Sequence, residues 1–350
     1  MAFETLADKL AKKTFNSPDF QKTWGVHMQA FGPILEPAFR EDYQSRIHLT
    51  AALNQISNRN VSQGLKKLQS IQNKCRNDAD KAALLFFMGL GFEMAGQREQ
   101  MLECYTYANE YAHGFYLPYL KVAKFYLNGC MYDRAAEEFP RAIACFDATG
   151  LDDQSRVILG SAYTNYATCL LMMHRYEEAE AAITTSKSLY PEAPGRFAVE
   201  MPLYALRDER EQAERCLAAL KEHSPDAYDS LKETAERILS HSDPHFFPVE
   251  VDGEKVAAFW TWFSGKEGEL FAMLEREQYE AAVDLVAEEL LKAFPFLEEP
   301  PYVALGKNEE GYILELQDMY AVAIENAYGI LMQNRPETVA SGRIRFAVVH

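Results

Sequence analysis

The chain has 350 residues, 48% hydrophobic and 25% charged, enough apolar side chains for two or three packed cores and the wrong composition for wholesale disorder. A formal charge of −17 argues against a nucleic-acid backbone or an anionic membrane surface as the main partner. That charge is uneven. From residue 246 to 350 there are 19 Asp+Glu against 8 Lys+Arg, which leaves −6 of the −17 for the first 245 residues, so the composition shifts near residue 246.

The N-terminal stretch MAFETLADKLAKK puts acidic residues early and has no apolar core of signal-peptide length. No window approaches the ~18 apolar residues of a membrane span. The six cysteines include no CxxC pair and read as buried thiols of a reducing compartment. The expectation is a cytoplasmic protein with no membrane partner. Residues 1–44 hold five Lys+Arg against six Asp+Glu, a poor footprint for a DNA-binding module. They are expected to form N-terminal flanking helices.

From residue 45 to 227 one pattern recurs. Its first, weak copy centres on Gly64 in NVSQGLKKLQSI, and its second on Met101, with Gly89, Phe92 and Tyr105 around it. The third copy, 34 residues on, has Ala135 with Ala123, Tyr126, Tyr132 and Phe139. The fourth comes after a ten-residue insertion around DATGLDDQS, with Ala179, Tyr163, Ala167, Leu170, Tyr176 and Pro191. The fifth, again 34 residues on, has Ala213 with Met201, Tyr204, Leu217 and Pro225. A fixed period of this size marks a repeat architecture. Each copy reads as two amphipathic helices, A then B, with the small residue where B crosses A closely and proline ending B.

These residues resemble the tetratricopeptide repeat (TPR) family, with Met101 and Gly64 standing where the family has alanine. The resemblance implies a mainly α fold: a right-handed superhelix of five hairpins, two of them degenerate, whose A helices line a concave groove. The register puts Phe86, Leu90, Leu120, Lys124 and Leu127 in that groove. It adds Asn128, Asn165, Thr168 and Met172, with Leu49, Leu53, Thr164 and Leu171 beside them. Such a lining suits a peptide or the apolar face of an amphipathic helix, unless the protein's own termini fill it.

Residues 228–245 read as a capping helix and linker. Residues 246–350 then read as a small acidic α+β domain. EKVAAFWTWFSGKEGELFAMLE and QYEAAVDLVAEELLKAF have helical periodicity, and YVALGKNEEGYILELQ alternates as a hairpin would. A helix over MYAVAIENAYGILMQNR leads to a last strand, GRIRFAVVH. The expected order is α-α-β-β-α-β with an antiparallel sheet. Its FWTWF opening resembles an uncharacterised domain of bacterial proteins.

Candidate chemistry is sparse. His241 and His245 have the spacing of two metal ligands on a helix, but Pro244 interrupts them and no third ligand is indicated. Phe259, Trp260, Trp262 and Phe263 could stack on a ligand and read better as core. The pairs Glu288/Glu289 and Glu298/Glu299 read as a solvated helix face and a loop. No GxSxG, phosphate-binding glycine loop or Cys-His signature is present. The expectation is a non-catalytic interaction or scaffold protein, with no catalytic residue, cofactor or metal, and a protein or peptide partner. The alternative is a repeat-guided enzyme or regulator with its activity in the C-terminal domain.

Overall fold

The structure is a computed structural model and describes residues 31, 34–111, 114–146, 150–193, 195–309, 311–340 and 342–349. Most of the expected N-terminal flanking helices, residues 1–30, lie outside them. The chain forms two compact units, Met1–Val199 and Glu200–His350, so the composition shift near residue 246 falls inside the second.

In the first unit, described by itself, eight helices among the described residues form four hairpins: α1 (Tyr43–Ser57) with α2 (Val61–Ile71), α3 (Asp78–Met94) with α4 (Arg98–Tyr111), α5 (Tyr116–Asn128) with α6 (Tyr132–Ala144), and α7 (Asp153–Met172) with α8 (Tyr176–Leu189). Successive hairpins pack through α2 on α3, α4 on α5 and α6 on α7. Side-chain caps start several of the A helices. Asp42 accepts from the Ser45 N–H, Asn77 from Asp80 and Asp152 from Ser155, each satisfying a donor that the first turn would leave unpaired.

The small residues sit where the 34-residue register demands them. Ala135 and Ala179 are fully buried. Gly64 explains its own departure from alanine: a Cβ there would lie 2.5 Å from Ile56 and 2.9 Å from the Ala52 carbonyl. A second signature is in the backbone. Arg59, Gly96, Cys130 and His174 all have φ between 56° and 71°, the left-handed turn that ends each A helix. The residue after each donates its N–H five residues back: Asn60 to Gln55, Gln97 to Phe92, Met131 to Tyr126 and Arg175 to Leu170. This is the Schellman closure, which satisfies carbonyls a helix end leaves open. The helical repeat is TPR-like on this geometry.

Helix α9 (Gly195–Leu206) spans the boundary between the units. The second unit, again by itself, continues with α10 (Arg210–His223), α11 (Pro225–Leu239), α12 (Gly253–Glu275) and α13 (Tyr279–Ala293). It ends with β1 (Val303–Asn308), β2 (Gly311–Gln317), α14 (Val322–Gln333), α15 (Glu337–Ala340) and β3 (Ile344–Val349). The same turn recurs at Asp208, His241 and Glu277, with φ of 60°, 54° and 61°, and the Gln278 N–H donates to Met273. The hairpin α12–α13 is therefore one more copy of the repeat unit. Tyr279 precedes the buried Ala282 by three residues, as Tyr176 precedes Ala179, and Pro295 follows α13.

The sheet order is β1-β2-β3, with β1 antiparallel to β2 (Val303 opposite Leu316) and β3 parallel to β2 (Tyr312 opposite Ile344). The expectation of an antiparallel sheet is corrected to a mixed one. The crossover helix α14 carries the chain back before β3 begins, and a helical crossover returns a strand parallel. Phe259, Trp260 and Phe263 are buried with Phe346, whose ring centroid is 4.8 Å from that of Phe263, and the Trp260 Nε1–H donates to the Leu331 carbonyl at 2.9 Å. The aromatic run is core.

Candidate functional site

The A-helix face of the first unit is the candidate site, and only part of it is open. Phe86 is 0% exposed, and Leu90 and Leu120 are each 3% exposed, so their placement on an open groove is corrected. The reason at Phe86 is visible. Its ring meets Phe31 at 5.6 Å, Phe87 at 5.1 Å and Phe115 at 5.0 Å, all edge-on. Leu49, Leu53 and Leu171 are buried as well. Thr164 is also buried, its hydroxyl 2.7 Å from that of Ser186, which donates to the Gly160 carbonyl at 2.8 Å.

What stays accessible comes from α5 and α7, which touch directly. Lys124 and Asn128 are exposed on α5, and Leu127 is half-buried beside them. Asn165, Thr168 and Met172 are half-buried on α7. The Thr168 hydroxyl donates to the Thr164 carbonyl at 3.1 Å, which leaves its oxygen able to accept. The patch thus offers amides, an acceptor, one cation and two apolar side chains.

Behind it lies a polar junction that no motif or spacing announces. The Lys121 ammonium is 2.8 Å from Glu93 Oε1 and 2.9 Å from Oε2, and the Tyr105 hydroxyl donates to Oε2 at 2.7 Å. Burial holds the Tyr105 hydroxyl well above its ordinary pKa, and the Glu93 charge adds to this. Lys124 is exposed by area, yet enough protein surrounds its side chain that desolvation leads in lowering its pKa. The like charge of Lys121 pushes the same way and Glu93 opposes both. No sequence signal points to Glu93, because its partner Lys121 belongs to the next hairpin.

A second concavity of about 500 Å³ opens between the end of α2 and the α3–α4 hairpin, lined by Leu84, Met88, Phe92, Cys104, Tyr107 and Tyr111 among others. The Cys104 thiol there is pushed up to about 12 by burial, ahead of the Glu103 charge, and is no nucleophile at neutral pH. The spaced histidines are occupied with aromatic neighbours: His241 stacks on Phe247 at 4.7 Å and His245 meets Phe246 edge-on at 4.8 Å. Among the described residues, no three His, Cys, Asp or Glu stand together as a metal site would need, and no helix is long and apolar enough to cross a membrane.

In the second unit the equivalent face is partly covered by the chain itself. By the register of Ala282, the groove positions on α12 are Glu267, Phe271 and Leu274. The Arg343 guanidinium lies over the Phe271 ring at 3.8 Å. The Tyr312 hydroxyl donates within reach of the Leu274 carbonyl at 3.3 Å and Glu275 Oε1 at 2.8 Å.

No family model matches the chain, and a comparison with curated proteins finds no match. Among solved structures, the chain is similar to the C-terminal part of a TPR repeat-containing protein from Cytophaga hutchinsonii, at 14% identity and a TM-score of 0.42, over 83% of this chain and 95% of that one. It is also similar to the TPR2AB domain of yeast Sti1 in a pHSP90 complex, at 11% identity and a TM-score of 0.28, over 67% of this chain and 97% of that one.

Proposed function

We propose that this is a non-catalytic protein-interaction scaffold that holds an extended segment of a protein partner across α5 and α7. The observation supporting the reading is the accessible row Lys124, Leu127, Asn128, Asn165, Thr168 and Met172, next to positions the chain fills for itself. Side-chain amides pair with the N–H and C=O groups of an extended backbone, and the Thr168 oxygen accepts one further donor. Leu127 and Met172 take one apolar side chain of the partner, and methionine adapts its shape to several. Lys124 favours a segment that carries an acidic group. An amphipathic helix fits this lining less well, because the apolar residues that would have received it are buried.

The test is selection from a displayed library of random peptides on the wild-type protein, repeated with Lys124→Glu and with Asn165→Asp. Both variants should stay folded, since neither side chain belongs to the packed core, and both should lose the selected peptides. Retention of the same peptides by both variants refutes the site.

A further inference from the structure

The concavity between the end of α2 and the α3–α4 hairpin is a slot with two unlike ends. On α3 its lining is Lys81, Leu84, Leu85, Met88 and Phe92, a spacing that puts all five on one helix face. On α4 it is Gln100, Glu103, Cys104, Tyr107 and Tyr111, at the same spacing. Leu84, Met88 and Cys104 are buried and make an apolar floor, with Tyr107 46% exposed to one side. Lys81 and Phe92 stand three turns apart on α3, so the slot is about 16 Å long.

Positive charge collects at one end. The Lys81 ammonium lies 4.6 Å from the centre of the Tyr111 ring, where the first turn of α3 meets the last turn of α4. Residues 72–81 hold Lys74, Arg76 and Lys81 against Asp78 and Asp80. Asp80 is already committed, its two oxygens accepting from the Phe39 and Arg76 N–H groups. Asp78 meets Lys81 at 3.5 Å, but both side chains are well exposed, and such a pair is readily exchanged for another carboxylate. Glu103 stands about 12 Å from Tyr111 along α4, away from this end. The far end carries Phe92 and Gln100.

We propose that this slot binds an unbranched medium-chain carboxylate, with its head group on Lys81 and its tail over Leu84, Leu85 and Met88 towards Phe92. The volume of about 500 Å³ falls in the range of small-molecule sites, about 300–1,000 Å³. The floor takes methylenes out of water along one side, and Met88 adapts to a flexible chain. The cation, held over the Tyr111 ring, selects an anionic head group over a neutral or cationic one. No residue of the α5–α7 patch lines the slot, so the assignment stands whether or not that patch binds a partner.

Equilibrium dialysis of the full chain against labelled dodecanoate, kept below its micellar concentration, should show one equivalent bound. Decanoate should bind several-fold more weakly for its missing methylenes. Dodecanol and dodecylammonium should bind at least about fivefold more weakly, because neither offers the charge that Lys81 meets. Lys81→Met keeps an apolar stem on Tyr111 and should cost dodecanoate about fivefold while leaving dodecanol unchanged. Leu85→Glu, half-buried in the slot, should abolish uptake. A dodecanoate carrying a diazirine on its tail should label peptides of residues 72–111 in the wild-type protein, a readout that needs no variant to fold. Absence of uptake overturns the proposal, as does binding of several equivalents without head-group preference, which is adsorption. Labelling confined to other peptides overturns it too, as does a folded Leu85→Glu protein that binds as wild type does.

Discussion

Lys121 and Glu93 join two successive hairpins: the ammonium on α5 sits 2.8 Å from the carboxylate on α3, which also receives the buried Tyr105 hydroxyl of α4. One carboxylate therefore satisfies donors from two other helices. Glu93→Gln keeps the shape but removes the charge, and its amide nitrogen must face either an ammonium or a hydroxyl. The expected loss is about 1–3 kcal/mol, the usual cost of leaving a buried polar partner poorly paired. A double-mutant cycle with Lys121→Met, read by chemical denaturation, measures the coupling, and additive effects would show that the pair is idle.

The close-contact alanines admit no larger residue. Ala135 and Ala179 are each 0% exposed at the helix crossing, so Ala135→Leu or Ala179→Leu should destabilise by about 1–3 kcal/mol through overpacking. Melting temperatures at or above that of wild type would put the helix register in error.

Which parts of the fold are legible in the sequence depends on which contacts are local. Ala135 and Ala179 mark their helix crossings by their place in the recurring pattern, because each crossing is made within one hairpin. The left-handed turns are less visible. Glycine announces only Gly96, whereas Arg59, Cys130, His174 and Asp208 reach the same conformation because the five-residue closing hydrogen bond repeats there. The α12–α13 hairpin reads from sequence as part of a separate domain. Ala282 lies 69 residues beyond Ala213, one more than two periods, and at His241 the turn is followed by a proline-bearing loop instead of a helix B. The burial of Phe86 is illegible for another reason. Its cover, Phe31, comes from 55 residues earlier, and no periodicity links the two.

Glu138 should make stability depend on pH. Burial is the leading influence and raises its pKa above the ordinary carboxyl value, with Arg141 opposing, and its Oε2 is buried without a hydrogen-bond partner. A raised acid pKa means the folded state binds the proton more tightly than the unfolded chain. Its favourable contribution is therefore complete below the unfolded pKa and is lost as pH rises through the folded one. Glu138→Gln should melt higher than wild type at neutral pH, since the bond it gives up is to a mostly exposed Arg141 and such pairs contribute about 0–1 kcal/mol. Below about pH 4 the advantage should vanish, the ordinary glutamate pKa being near about 4.3. Melts across this range check the sign, and an advantage that grows on acidification contradicts it.

The β2–β3 junction should be the most sensitive glycine position in the second unit. Gly311 has a φ of +136°, and a Cβ there would collide with the Arg343 carbonyl. That carbonyl accepts the Tyr312 N–H at 3.0 Å and belongs to the residue whose guanidinium covers Phe271. Gly311→Ala must therefore shift β3 or the backbone of Arg343, and with it the aromatic contact on α12. The expected loss is about 2–4 kcal/mol, combining a conformation alanine avoids with a backbone collision. Gly265 and Gly268, inside α12 with open space where a Cβ would stand, are the controls. Gly265→Ala should stabilise by roughly 0.5–1 kcal/mol, since alanine is the better helix former and restricts the unfolded chain. Tryptophan fluorescence during unfolding, read in a Trp24→Phe background, follows Trp260, buried against β3, and Trp262 beside it, and so reports this unit. Opposite signs for the two substitutions are the expected result, and a neutral Gly311→Ala would mean that the parallel register of β2 and β3 is not held at this junction.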